Sequence, residues 1–342
     1  MKIMKTLNCK SAILLALLMA SGVSLRAQTL REEDQKEFKA TGTTELKVDN
    51  QFGTITVNDW DQDKVSISWI IQVTDSDEAR AKKTMEKIKV EVKEEGNQII
   101  AKTTIGNQGN LNLHNGKDDK RSFSIDYVVK CPKNIKVNLD NQFGDIKLAT
   151  LTGQVKVDLQ FGSLNAVSLT GQGSSLDMQF GEVTIGTLLD AKIDIQHCES
   201  LKINEGGVLN IDAQFTKLDL GTVTSLDADL NNCEFEAENI KGLLKLESNM
   251  GSVKVLNVDA GFKALEISQN MGDVSLAMDP KAGYQLDAEV NMGSIKVPEG
   301  MKLSKSKDAD LPGVTAEKVK GTAGTGGSMV KIKCNMGSVK IR

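Results

Sequence analysis

Histidine is nearly absent from this chain. Of 342 residues only His114 and His197 are histidine. A hydrolytic triad needs an imidazole beside its nucleophile, and no nucleophile motif accompanies either one. Arginine is scarce too. After residue 27 only Arg31, Arg80, Arg121 and Arg342 remain, so phosphate or polyanion recognition by guanidinium forks has little material. The formal charge is −4, which leaves no basic footprint for nucleic acid. No segment after the first thirty residues is long and apolar enough to cross a bilayer as a helix. Helical periodicity is also missing, except over Ser76 to Ile88. There Ala81, Met85 and Ile88 share one face, and Ser76 or Asp77 can serve as N-cap.

What is present begins with a targeting pattern. Lys2, Lys5 and Lys10 precede the short apolar run Ile13 to Met19, and Ala27 is a small residue ahead of a cut. Residues 1–27 therefore read as a secretory signal peptide. Their removal takes four positive charges and no acid, moving the net charge from −4 to −8. The mature chain is expected to be exported, to the periplasm or the cell surface.

The dominant feature is a repeat. Gln142-Phe143-Gly144 recurs at Gln160 and Gln179, degrades at Gln196, Gln214 and Asn231, and returns as Asn-Met-Gly at Asn249, Asn270, Asn291 and Asn335. Start-to-start spacings are 18, 19, 17, 18, 17, 18, 21, 21 and 44. Within a unit, Val155, Val157 and Leu159 alternate with Lys156, Asp158 and Gln160, the period-2 pattern of a half-buried strand. Gly162 breaks it, and Leu164 opens a second short run. Each unit reads as two short strands with a tight bend. One coil cannot bury its apolar side alone, so coils must stack at about 4.8 Å per rung.

The expected fold is all-β: a parallel β-solenoid of about ten short coils, with a period near 18 residues and later 21, and one helix in an N-terminal insertion. The expected domains are 1–27, signal peptide; 28–130, a β-rich part with one helix and a mobile loop; and 131–342, the solenoid with a long loop at 301–327.

Stacking turns repeats into columns. Extending the alternation by one residue makes the Phe column interior, with His197 as a satisfied core histidine and Met replacing Phe late in the chain. On that reading Phe161→Ala costs about 3–5 kcal/mol. The Gly column suits a bend with unusual dihedrals, with Cys198 and Cys233 as small residues filling Gly-type positions. The Gln/Asn column can bond amide to amide up the stack. Cys198 and Cys233 fall two rungs apart, about 9–10 Å by strand spacing, too far for a disulfide. Cys334 falls in an inward column.

One outward column is acidic. Asp140, Asp158, Asp177, Asp194, Asp212, Asp229 and Glu247 each lie two residues before the Gln/Asn position. A solvated acidic face relieved by Lys156, Lys192 and Lys245 is the plain reading. The sharper one is a cation stripe along Asp158, Asp177, Asp194, Asp212 and Asp229, holding Ca2+ weakly, since hard divalent ions take clustered carboxylate oxygens.

Asp140 to Leu148, Leu151 to Val157 and Tyr127 to Pro132 together carry a resemblance. The motif Asp-Asn-Gln-Phe-Gly-x-Ile-x-Leu, then Leu-Thr-Gly-x-Val-x-Val, after a Tyr-x-Val-x-Cys-Pro strand, resembles the "putative adhesin" (toast-rack-like) β-solenoid family of exported Bacteroidota proteins. The resemblance implies an extracytoplasmic, non-enzymatic solenoid with a protein or glycan partner at the cell envelope, and it carries over no functional residues. A periplasmic scaffold or sensory partner of an envelope signalling system is the alternative, and a carbohydrate-active β-helix enzyme stands behind both.

Overall fold

A computed structural model describes residues 28–106, 121–311, 314–325 and 327–342. The expected signal segment and the polar stretch 107–120, with His114, lie outside them. The described residues form 23 strands and one helix.

The coil is as the alternation implies. Val155–Phe161 forms one strand, the chain bends at Gly162, Leu164–Leu169 forms the second, and Gly171 to Gly173 lead back. Val155, Val157, Leu159, Leu164 and Leu169 point inward and are buried. The next rung repeats this in register and parallel: Val157 opposes Leu176, and Leu164 opposes Val183. Two parallel sheets therefore face each other across a core of Val, Ile and Leu contributed by both. In Glu182–Gln196, Ser200–Gln214 and Lys217–Asn231 the strand continues around the return bend without interruption.

The stack begins before residue 131. Glu45–Phe52 and Ile55–Trp60 already form a rung, with Leu46 on Val137, Phe52 on Phe143 and Ile55 on Ile146. The residues between this rung and the next are an insertion that closes one end. Lys64–Asp75 runs antiparallel to both Gln28–Lys39 and Ser122–Pro132. Helix Glu78–Met85 packs on it through buried Ala81 and Met85. The Asp77 carboxylate caps the helix by accepting the Ala79 and Arg80 N–H groups at 2.9 and 3.2 Å.

The other end departs from the expected chain order. The stretch expected as a loop at 301–327 contains two antiparallel strands, Lys302–Leu311 and Val314–Ala323, and the second pairs antiparallel with Tyr284–Lys296. The last strand, Ser328–Ile341, is not outermost. It lies between Ala264–Met271 and Tyr284–Lys296, so Ile332 faces Ile267 on one side and Ala288 on the other. The final coil is threaded into a place one rung back, and the hairpin covers the sheet edge that Tyr284–Lys296 would otherwise expose.

Candidate functional site

The two sheets meet at an edge formed by the Gln-Phe-Gly bends, and there the structure corrects the sequence reading. The rings lie outside. Phe143, Phe161, Phe180 and Phe215 are 40–51% exposed. His197 is exposed as well, not a core histidine. Alternation holds through Leu159 and Gln160 and then stops, because Phe161 is the last residue before the bend. Its successor Gly162 adopts φ +153°, and the chain turns away with the ring on the convex side. The polar residues His197 and Asn232 in the same column were the sequence signal that it is not an interior one.

Two bend types occur along the edge, in blocks. Gly144, Gly162, Gly251, Gly272, Gly293 and Gly337 carry φ between +128° and +153°, where a side chain is strongly disfavoured. In the four central rungs the positive φ moves back one residue, to Phe180, His197, Phe215 and Asn232, at 51–56°. That shift lets Cys198, Thr216 and Cys233 occupy the Gly column with inward, buried side chains. They are bonded to the bend itself: Thr216 Oγ1 donates to the Gln214 carbonyl at 3.0 Å, and Cys233 Sγ to the Ala213 and Asn231 carbonyls. Cys131, Cys198, Cys233 and Cys334 are all free and buried. Burial pushes the Cys131 thiol up to about 12, which removes it from thiolate chemistry.

The bends hydrogen-bond from rung to rung, and this brings the rings into a file. Phe52, Phe143, Phe161, Phe180, His197 and Phe215 stack with centroids 4.8–5.4 Å apart and planes within 12°. Because Phe143, Phe161, Phe180 and His197 each meet a neighbouring ring on both faces, it is their edges that solvent sees. Phe161→Ala is therefore expected to cost about 1–2 kcal/mol, for two stacking contacts and partial burial, well below a core truncation. Urea melts check this, and a loss above about 3 kcal/mol would put the ring back inside.

The amide column runs beside the rings and is divided in two. Asn231, Asn249, Asn270, Asn335 and Asn291 bond side chain to side chain at 2.9–3.4 Å. The glutamines differ. Among the described residues, Gln142, Gln160, Gln179 and Gln214 make no side-chain hydrogen bond. Beneath the bends, Asn141 and Gln269 are buried and donate to the Gly53, Gly144 and Gly251 carbonyls, so these bend carbonyls are satisfied from within, while Asn141 Oδ1 and Gln269 Oε1 are buried without a hydrogen bond among the described residues.

The acidic column forms as expected. Asp140, Asp158, Asp177, Asp194, Asp212, Asp229 and Glu247 are paired rung on rung, and Asp49 extends the file. Its ends are neutralised: Asp49 by Lys102 at 2.8 Å and Glu247 by Lys245 at 3.7 Å. Among the described residues no lysine or arginine reaches salt-bridge distance of Asp140 through Asp229 in this file. Partial burial, then the neighbouring carboxylates, hold Asp140, Asp177 and Asp212 above the usual carboxylate value. The file is straight, however. Among the described residues no three His, Cys, Asp or Glu converge on one point as a metal site would require.

A pH and salt response follows. Where folding raises a carboxyl's affinity for protons, the folded state binds more of them, so stability rises as pH falls toward the usual value of 3.8 and is lost again on returning to neutrality. Asp75 works in the opposite sense. Its hydrogen bond to Arg80 lowers its value, and that stability is lost below about pH 3.8. The wild-type Tm is therefore expected to rise between pH 7 and about 4.5, with a smaller rise in Asp177→Asn/Asp212→Asn. At matched ionic strength, sodium and calcium chlorides should raise Tm equally by screening. A calcium-specific rise, abolished by Asp177→Asn/Asp194→Asn, would instead establish the ion stripe.

A shallow concavity of about 410 Å³ on the opposite edge is lined by Ser174, Asp190, Lys192, Val208 and Asp227. Its acids are engaged locally, Asp190 by the Gly173 N–H and Asp227 by Lys245.

The architecture defines a class: a flattened, two-sheet parallel β-solenoid with bend residues in surface files. More narrowly, residues 43–342 match the Toastrack DUF4097 family, and the chain belongs to it. No curated protein matches it by sequence. Solved structures similar to it include a "putative cell adhesion protein" from Clostridium sporogenes, at 10% identity and TM-score 0.21, covering 91% of this chain and 99% of that one. A "putative adhesin" from Bacteroides fragilis matches at 10% identity and TM-score 0.26, covering 91% and 97%. A "putative lipid binding protein" from Parabacteroides distasonis matches at 10% identity and TM-score 0.34, covering 91% and 96%. Among the described residues no helix is long and apolar enough to cross a membrane.

Proposed function

We propose that this chain is a non-catalytic binding protein of the cell envelope, exported by its first 27 residues, whose aromatic edge is the contact surface for a macromolecular partner. One observation carries the reading. Large apolar side chains exposed singly are ordinary, but a contiguous apolar strip marks an interaction surface. Here four half-exposed phenylalanines and an exposed histidine form one uninterrupted file. The names of similar structures, which speak of adhesion, agree with it.

The test uses the full-length protein in its own cells. It should fractionate with the periplasm or envelope, and protease applied to intact cells distinguishes the outer surface from the periplasm. Purified protein should be retained on envelope fractions, and Phe161→Ser/Phe180→Ser should release it. Equal retention of the variant would overturn the edge as the contact surface, and a cytoplasmic location would overturn export.

A further inference from the structure

The edge is not uniform, and its asymmetry points to a class of partner. Along Phe143 to Phe215 three files run side by side: exposed ring edges, carboxamides of which Gln142, Gln160, Gln179 and Gln214 have no side-chain partner among the described residues and Gln196 donates to Asp194 at 3.2 Å, and carboxylates that form no salt bridge among the described residues. Beyond Asn231 all three change. The rings give way to Asn232 and the methionines, the amides bond to one another, and Glu247 is paired. Unused polar groups and exposed apolar groups thus coincide on the same rungs.

We propose that this half of the edge docks an extended, basic polypeptide segment bearing aromatic or aliphatic side chains. The inference rests on the reading of the edge as the contact surface and names what binds there. From Asp140 to Asp229 the carboxylate file supplies negative charge with which no lysine or arginine among the described residues forms a salt bridge, so a cationic partner gains where an anionic one is repelled. The unpartnered Gln142, Gln160, Gln179 and Gln214 each offer both a donor and an acceptor, which suits the peptide groups of an extended backbone. Stacking occupies the ring faces at 5.0 Å centroid spacing. A flat sugar ring therefore finds no platform, whereas ring edges meet aromatic faces or aliphatic groups in T-shaped contact. A second copy docked edge to edge would bring one carboxylate file near another, and an anionic lipid surface meets the same repulsion.

The five rings from Phe143 to Phe215 span about 20 Å, which an extended segment of about six residues covers at ~3.3 Å each. The probe is a fluorescein-labelled hexapeptide alternating lysine and phenylalanine, read by anisotropy against the intact mature protein. A glutamate/phenylalanine hexapeptide and a lysine/serine hexapeptide are the comparisons. The first probe should bind, and both comparisons should bind at least about tenfold more weakly. Phe161→Ala/Phe180→Ala, and separately Asp177→Asn/Asp194→Asn, should each weaken the first probe by about tenfold, while Glu236→Gln/Glu266→Gln, acids away from the edge and its carboxylate file, should leave it unchanged. Circular dichroism melts confirm that each variant is folded. The proposal is overturned if the ring variant binds the first probe as tightly as wild type, or if the glutamate peptide binds equally well. It is also overturned if zwitterionic or anionic vesicles bind in place of the peptide, or if the free edge forms a dimer that Phe161→Ala/Phe180→Ala dissolves. Edge-dependent retention on envelope fractions without peptide binding would sink this partner class alone; loss of both would sink the edge itself.

Discussion

Gly272→Ala is expected to destabilise the protein by about 3–5 kcal/mol, the cost of a severe core lesion for one added methyl. Gly272 has φ +134°, a conformation that a side chain makes unfavourable by about 1–3 kcal/mol. Steric overlap costs more. A Cβ at this position would collide with the Gly251 carbonyl oxygen of the adjoining rung, and with the buried Gln269 amide nitrogen that donates to that same carbonyl. Neither can yield easily, since the carbonyl is backbone in a stacked bend. The chain has an alternative bend, with the positive φ one residue earlier, as at Asn232. Adopting it at Met271 would create mismatched bends against both Gly251 and Gly337, whose rungs keep the glycine type. Gly96→Ala is the control. Its φ is +61° and nothing lies within 4 Å of the added methyl, so the expected loss is about 1 kcal/mol, partly offset by the stiffer unfolded chain. Equal losses in urea melts would show that the rungs are not packed bend on bend.

The coil itself was legible because stacking makes every rung solve the same problem. Val157, Leu176 and Ile193 repeat one inward position, and Asp158, Asp177 and Asp194 one outward position, so the sequence displays both columns. The rings of the candidate site were misplaced for a local reason. A period-2 pattern carries no mark of where the strand ends, and Phe161 stands one residue past the last position where alternation governs. The order of the last rungs was illegible for a different reason. All rungs share the same columns, so Ile332 fits between Ile267 and Ala288 as well as it would fit beyond Ala288, and only the threading of the chain decides. The hairpin of Lys302–Leu311 and Val314–Ala323 was hidden by its lysine, glycine and threonine content, which reads as loop although it forms the covering edge.

That threading gives a large effect at one residue. Ile332→Asp is expected to abolish protection of the last rungs while leaving the first ones folded. Ile332 is fully buried, and an unpaired carboxylate there costs several kcal/mol unless the strand leaves the core. Expelling Ser328–Ile341 removes the only parallel partner that Tyr284–Lys296 has among the described residues, because Ala264–Met271 is paired to the inserted strand and not to it. Amide exchange should therefore become fast across 284–296 and 314–323 as well as 328–341, and strand 264–271 should lose protection on its newly open side. Strands 137–231 should stay protected, since each rung touches only its neighbours and unfolding need not spread along the stack. Were the coils stacked in chain order, the same substitution would unfasten only an outermost strand, and 264–271 would remain paired to 284–290. Slow exchange in 284–290 of the variant would thus mean that the gap closes and the two rungs adjoin. Fast exchange there, with 137–231 unchanged, follows only if the last strand lies between them.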